Sequence, residues 1–330
     1  MKALVIADNH KLEFREKETP ALKENQVLIK IQAVALNHRD QFIREGKYPG
    51  IKIGTTLGSD ACGRVIETGE KVDEVWKGMD VLINPNVGWG ENPNVQAPDY
   101  HILGTPTDGL FCEYVAIDVN KIAEKPTHLD AEIAAALPLG GMTAYRALFH
   151  HGKCEAGSKV LISGVGGGVA QFAFQFALAK GAEVFVTSSD ENKRSKAIEL
   201  GASAAFNYKD ENWTKEAKEK SGGFDIVIDS AVGDGLNDLI KLMNPAGRIV
   251  FYGATNGKPK DIDVFRMFWN QITLQGSTMA NDDEFKAMLT FVKKNRIEPI
   301  IDSIRPFENI VEAFDKMKEG KQFGKLVAKF

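Results

Sequence analysis

From Lys159 onward the sequence alternates short apolar runs with longer mixed stretches, and this rhythm restricts the fold more than any other feature. KVLI (159–162) precedes VAQFAFQFALAKG (169–181), and EVFVTSS (183–189) precedes ENKRSKAIELG (191–201). AAFNY (204–208) precedes WTKEAKEKSGG (213–223), FDIVIDS (224–230) precedes GLNDLIKLM (235–243), and GRIVFYG (247–253) closes the series. Strands alternating with helices require a parallel sheet, because each return to the sheet edge needs a crossover. VLI, IVI and IVF are apolar on consecutive residues, which predicts strands covered on both faces.

The first strand runs into LISGVGGGVA (161–170). Glycine at that density costs backbone entropy, so the turn must need it. The spacing is not G-x-G-x-x-G. It is G-x-x-G-x-x-A, at Gly164, Gly167 and Ala170. Between a strand and a helix, such a turn suits a pyrophosphate, bound by backbone N–H groups at the helix N-terminus. Gly168 and Val169 belong to the same turn, and small Ala170 lets helix and strand pack closely.

The next strand selects the nucleotide. NAD sites usually place Asp or Glu at its end, about 20 residues beyond the glycines, against the ribose 2′-hydroxyl. Here Ser188 stands at that position, followed by Ser189, Lys193 and Arg194. Hydroxyls and cations suit a 2′-phosphate, which a carboxylate would repel. Tyr208 is placed to flank the adenosine phosphate. Asp190 lies past the expected strand end, where it caps the next helix or serves an NAD ribose. The reading is NADP(H).

Residues 1 to about 125 are strand-like and rich in turns, with QVLIKIQAV (26–34), GRVIETG (63–69) and DVLINP (80–85) as expected strands. Residues 86–108 are a long Asn-, Pro- and Gly-rich loop. DAEIAAAL (130–137) and MTAYRALFHHG (142–152) carry helix signals. After about 277, DDEFKAMLTFVKKNRI and FENIVEAFDKMKEG predict amphipathic helices, and KLVAKF a final strand.

Six segments together resemble one family: ALNHRDQFIREGKYP (35–49), LGSDACGRVIETG (57–69), GLFCEYVAI (109–117), PLGGMTAYRAL (138–148), SGVGGGVAQFA (163–173) and IELGASAAFNYKD (198–210). Over essentially its whole length the chain resembles the medium-chain dehydrogenase/reductase superfamily, and within it the zinc-free quinone-oxidoreductase-like branch. The resemblance implies an α/β protein with a GroES-like, β-rich catalytic domain and a Rossmann doubly wound parallel-sheet cofactor domain. It divides the chain into a catalytic domain (1–140), an NADP-binding Rossmann domain (141–277) and a C-terminal return to the catalytic domain (278–330). It also implies an active site in the cleft between domains.

Zinc-dependent alcohol dehydrogenases of this superfamily bind catalytic zinc through Cys, His and a later Cys or Glu. The matching positions here are Asn37, Ser59 and Leu139, and none supplies the thiolate, imidazole or carboxylate that zinc takes. The lobe matching the four-cysteine structural zinc site is residues 86–108, which contain no cysteine. His38 and Asp60 lie nearby as improvised ligands, but no metal is expected. Cys62 and Cys112 read as small packing residues within strands.

Without a Lewis acid, a conjugated acceptor is the easier substrate, because hydride addition to a quinone or enone gives a delocalised anion that hydrogen bonds can stabilise. The expected activity is NADPH-dependent reduction of a quinone or α,β-unsaturated carbonyl. The resemblance places Thr143 and Val169 against the nicotinamide, with Gly253, Ala254 and Ser277 near its carboxamide. It gives Asn37 the task of orienting substrate or water, and Tyr48 that of a hydroxyl donor at the cleft mouth. Asp40 buttresses Asn37 and Arg39. Ile43, Tyr48, Trp89 and Phe268 are candidates for the pocket wall. Two alternatives stay open: an alcohol or aldehyde oxidoreductase with an unusual metal site, and a non-catalytic NADPH-binding sensor.

The bulk properties exclude several classes. A net charge of −4 over 330 residues gives no attraction for nucleic acid or an anionic membrane. MKALVIADNHKLEF has no secretory h-region, and no apolar run approaches the roughly 18 residues of a bilayer span. Three well-separated cysteines form no disulfide framework, which predicts a cytoplasmic setting. The family resemblance implies a homodimer or homotetramer paired through Rossmann-domain sheet edges, with the aromatic, β-rich VFRMFWNQITLQGS (264–277) at the corresponding place.

Overall fold

A computed structural model describes residues 1–330, which fall into two compact units. One consists of Met1–Gly140 and Asn281–Phe330, the other of Gly141–Ala280.

The second unit is built on a six-stranded, fully parallel sheet. Its order across the sheet is Ala204–Phe206, Glu183–Thr187, Lys159–Ile162, Phe224–Asp229, Met243–Phe251 and Thr273–Gly276. The chain starts in the middle, winds outward one way, and then returns to wind the other way. The direction changes between Lys159–Ile162 and Phe224–Asp229, where Ile162 lies opposite Ile228. Ligands of open parallel sheets bind beyond the strand ends at such a point. Val160, Leu161, Ile162, Val227 and Ile228 are wholly buried, as strands covered on both faces should be.

The helices end where local chemistry stops them. Gly168–Lys180 terminates at Gly181 with φ 84°, and Trp213–Ser221 at Gly222 with φ 74°. Both residues sit in the left-handed conformation that glycine adopts without a Cβ clash. Glu191–Glu199 begins at Asp190, whose carboxylate accepts the Lys193 backbone N–H at 3.1 Å.

The first unit holds a seven-stranded sheet. Gln26–Ala35 lies at its centre, antiparallel to Asp60–Thr68, Tyr114–Asp118 and Lys325–Lys329. Lys325–Lys329 thus returns from the far end of the sequence to pair Val327 with Ala35. Its core joins Leu4, Ile29, Ile31, Val34, Phe111, Phe314 and Leu326. Asp282–Asn295 starts with a reciprocal cap: Glu284 N–H donates to Asn281 Oδ1 at 2.8 Å, and Asn281 N–H donates to Glu284 at 2.9 Å. No helix is long and apolar enough to cross a membrane.

Several local expectations change. The helix expected over 142–152 is α-helical over Pro138–Tyr145 and then widens into a π-turn, Arg146–His151, where Gly152 N–H reaches back to Ala147 O. The widened turn keeps Arg146, Ala147 and Leu148 all buried. The segment expected as β-rich over 264–277 opens with a helix, Val264–Trp269, capped by Asp263, and only Thr273–Gly276 is strand. Residues 86–108 contain a small paired ladder, Asn86–Val87 with His101–Ile102. Cys62 lies in a strand, whereas Cys112 makes only an isolated bridge to Ala3.

Candidate functional site

In the second unit the glycine turn forms beyond the strand Lys159–Ile162. Gly164 has φ 63°, and a Cβ built there would meet nothing within 4 Å. The left-handed backbone needs glycine, and the space above it is open to a ligand. Val165 N–H donates to Thr187 O at 3.1 Å and Gly164 N–H to Thr187 Oγ1 at 3.2 Å, tying the turn to the neighbouring strand. Gly167 precedes the helix, so the first N–H groups, from Gly168, Val169 and Ala170, have no intrahelical acceptor. Ala170 is buried against the sheet.

The turn opens on a cleft of about 260 Å³, lined among others by Gly164, Thr187, Tyr208, Asp229, Val232 and Thr255. Asp229 is a residue the sequence reading missed. It hydrogen-bonds the Ser163 hydroxyl, and its other oxygen accepts Val232 N–H at 2.7 Å and Ala231 N–H at 3.2 Å. Val232 is held at φ 55°, a region that a β-branched residue rarely enters. The buried carboxylate thus shapes one wall of the cleft.

Ser188 is nearly buried at the end of its strand, and its hydroxyl accepts the Asp190 N–H at 3.2 Å. Arg194 Nη1 donates to Ser188 O at 2.8 Å, which keeps the guanidinium at this strand end. Tyr208 hydroxyl meets Ser189 Oγ at 3.2 Å. Lys193 follows Asp190 in the first turn of the helix. Gly253 runs against Ser230, where a Cβ would stand 3.0 Å from the Ser230 carbonyl oxygen, while Ala254 beside it is exposed. Ser277 N–H donates to Phe251 O at 2.9 Å, and its hydroxyl is buried without a partner. Thr143 is buried, 3.5 Å from Met279 Sδ. The open glycine turn, the free helix N–H groups and the unpartnered Ser277 hydroxyl together fit a dinucleotide.

In the first unit, Asn37 caps the short helix His38–Arg44. Its side chain joins a buried network. Asn37 Nδ2 donates to Asp60 Oδ2 at 2.9 Å, and Lys325 Nζ donates to Asn37 Oδ1 at 2.7 Å and to Asp60 Oδ2 at 2.9 Å. Asp60 Oδ1 accepts the Leu139 N–H at 2.7 Å. Lys325 is the second residue the sequence reading missed. It lies 288 positions from Asn37, and no local pattern marks it.

Beside this network Arg39 is also buried. Its Nη1 donates to Ser59 Oγ at 2.6 Å and to Leu103 O at 2.7 Å. Its Nε lies 3.3 Å from the Tyr48 hydroxyl, and the guanidinium sits over the Tyr48 ring at 4.8 Å. Tyr48 is therefore held by Arg39. Asp40 accepts the Asn37 backbone N–H at 2.8 Å. Burial raises its carboxyl to about 6, against the opposing pull of Arg39.

The Asn37 amide and the Leu139 backbone N–H meet at Asp60, while Ser59, next to it in the chain, is held by Arg39. Their donor set is an amide whose oxygen faces an ammonium, a hydroxyl held by a guanidinium, and a hydrocarbon, and it does not fit zinc. No group of three or more His, Cys, Asp or Glu stands close enough to hold a metal. His38, next to Asn37, packs its ring edge-on to Phe42. Ile43 is not free to form a pocket wall, because it is wholly buried in its unit's core. Trp89, whose indole donates to Asn92 O at 3.1 Å, does line a cavity of about 310 Å³, with Gly88, Lys121 and Asp282. Phe268 is 63% exposed.

The two units correspond to GroES-like and Rossmann folds, and comparison with known proteins agrees with that architecture. Residues 23–127 match the alcohol dehydrogenase GroES-like domain family, and residues 168–294 match the zinc-binding dehydrogenase family. A zinc-type alcohol dehydrogenase-like protein of Leptosphaeria maculans is 34% identical over 330 residues, covering 93% of this chain and 91% of its own. Quinone oxidoreductase of Mus musculus is 28% identical over 320 residues, covering 93% and 90%. Among solved structures, an NAD-dependent alcohol dehydrogenase aligns over 100% of both chains with a TM-score of 0.94 and 31% identity. The chain belongs to the medium-chain dehydrogenase/reductase superfamily and is an oxidoreductase.

Proposed function

We propose that this oxidoreductase uses NADPH to reduce a quinone or an α,β-unsaturated carbonyl without zinc. The observation that carries the reading is the Asn37–Asp60–Lys325 network, which fixes an amide donor at the position the sequence resemblance matches to a zinc ligand. A carbonyl whose negative charge spreads over a conjugated system needs less than a Lewis acid, and a fixed N–H donor can meet it.

NADPH would supply the hydride. Gly164, Gly167 and the N–H groups of Gly168, Val169 and Ala170 would hold its pyrophosphate. Ser188, Ser189, Lys193 and Tyr208 would take the 2′-phosphate, while Asp190 is engaged in capping its helix. Thr143, Val169, Gly253, Ala254 and Ser277 would seat the nicotinamide end, with the unpartnered Ser277 hydroxyl as a donor to the carboxamide. Asn37 would donate to the substrate oxygen. Tyr48, held by Arg39, would supply a second hydroxyl, and Asp40 would steady the Asn37 backbone.

The test is oxidation of NADPH and NADH with matched quinone, enone and aldehyde acceptors, with and without chelator. The reading expects quinone or enone turnover with NADPH that chelator leaves intact. Turnover confined to the aldehyde, or lost with chelator, would overturn it.

Two further elements belong to the same reading. The three cysteines are buried and unpaired, as expected of the cytoplasmic setting we infer. A homodimer or homotetramer is favoured by exposed Phe265 and Trp269 beside the edge strand Thr273–Gly276.

A further inference from the structure

An asparagine carboxamide has two orientations that fill the same space, and only its partners decide between them. At Asn37 the partners leave no choice. The Lys325 ammonium can only donate, and the Asp60 carboxylate can only accept. The oxygen must face Lys325, at 2.7 Å, and the nitrogen must face Asp60, at 2.9 Å. A flipped amide would set N–H against ammonium and oxygen against carboxylate, losing two charge-assisted bonds at once.

The network is built to hold this geometry. Asp60 is fully buried and Lys325 is 2% exposed, while Asn37 keeps 7%. Asp60 Oδ2 accepts from both partners, and its Oδ1 is taken by the Leu139 N–H. The Asn37 backbone is fixed separately by Asp40. One hydrogen of Asn37 Nδ2 is spent on Asp60, and the second has no acceptor in the protein. An ammonium on the amide oxygen also draws electron density from the nitrogen, which strengthens that second N–H as a donor.

We propose that Lys325 is a positioning residue, which locks the Asn37 carboxamide so that its free N–H, and never its oxygen, is offered to the oxygen of the substrate. The inference rests on the proposed carbonyl reduction for its role in turnover, but the lock itself is a property of the protein alone. Lys325 does not touch substrate. Its effect passes through Asn37, so it acts on the rate of hydride transfer more than on binding.

The experiment uses the full chain, labelled with [15N]asparagine, and the double variant Lys325→Met/Asp60→Asn. Removing the ammonium and its counter-charge together leaves no lone buried charge, so the fold is kept. In the parent protein one Asn37 side-chain proton exchanges slowly with solvent and the other fast. In the double variant the two become similar. Similar, fast exchange of both protons in the parent would overturn the lock, whatever the activity. With the acceptor that the parent reduces best, the double variant is expected to lose roughly 10- to 100-fold in kcat, with KM within about threefold. Lys325→Arg, which keeps a donor to both partners, is expected to restore at least about a third of kcat. An unchanged kcat in the double variant, or a loss of kcat in Lys325→Arg equal to that in the double variant, would overturn the role in turnover. Failure of the parent with every acceptor would instead sink the proposed reaction and leave the exchange result to decide the lock.

Discussion

Asp40 holds the Asn37 backbone N–H at 2.8 Å with one carboxylate oxygen, while its other oxygen is buried without a partner. Arg39 Nη1 is 4.0 Å from that second oxygen, too far to satisfy it. A proton on Asp40 relieves the desolvated charge, which is why burial raises its carboxyl to about 6. The folded state therefore binds this proton more tightly than the unfolded chain. Its contribution to stability is full below the ordinary carboxyl range near 4 and is lost as pH rises through about 6. Denaturant unfolding between pH 4 and 8 should show that loss, on the order of 2 kcal/mol, in the parent but not in Asp40→Asn. Parallel pH profiles for the two proteins would refute it.

The proposed preference for NADPH rests on charge at the start of the helix Glu191–Glu199. Lys193→Ala is expected to raise the NADPH KM by roughly tenfold, the worth of one charge-assisted contact, with the NADH KM within about twofold. Steady-state kinetics with both nucleotides decide the matter, and equal effects on the two would count against a 2′-phosphate site.

Asp229 joins the Ser163 hydroxyl to the turn that holds Val232 at positive φ. Asp229→Ala leaves that hydroxyl and two backbone N–H groups without their acceptor and should cost about 2–4 kcal/mol. Calorimetry would measure the cost. Dinucleotide affinity, followed by fluorescence titration, should fall with it, because Val232 and Asp229 both line the cleft. A variant as stable as the parent would show that the carboxylate does not hold this wall.

Trp269 is 80% exposed on the short helix before the edge strand Thr273–Gly276. If this face is covered by a second copy, Trp269→Glu should shift the mass from light scattering toward the monomer. A parent protein that is already monomeric at micromolar concentration would remove the reason for these aromatics to be an interface.

Much of the second unit was legible in advance because its signals are local. A strand apolar on successive residues, a glycine turn and a helix follow one another within about twenty positions, and each can be read without knowing the rest. Gly164, Gly167 and Ala170 came from that stretch and Ser188, Ser189, Lys193 and Tyr208 from the elements that follow, whereas Thr143, Gly253, Ala254 and Ser277 rested on the family resemblance alone. Asp229 and Lys325 were not legible, for a shared reason. Asp229 looks like the end of a strand until Ser163 is brought against it from 66 positions away. Lys325 looks like a solvated charge in KLVAKF until its strand pairs beside Gln26–Ala35. The π-turn at Arg146–His151 was missed because helix signals at its two ends say nothing about an extra residue between them. Ile43 was misjudged because an aliphatic side chain reads the same in a core as on a pocket wall.

The pairing of Lys325–Lys329 with Gln26–Ala35 also sets an order of events during synthesis. Every residue of Gly141–Ala280 leaves the ribosome before Lys325 does. The parallel-sheet unit can therefore finish folding while the other unit still lacks the strand beside Gln26–Ala35 and Asn37 lacks its ammonium. A nascent chain stalled between these two points would carry a complete nucleotide fold and an Asp60 with no counter-charge. Dinucleotide binding should thus appear on arrested chains before the proposed carbonyl reduction does.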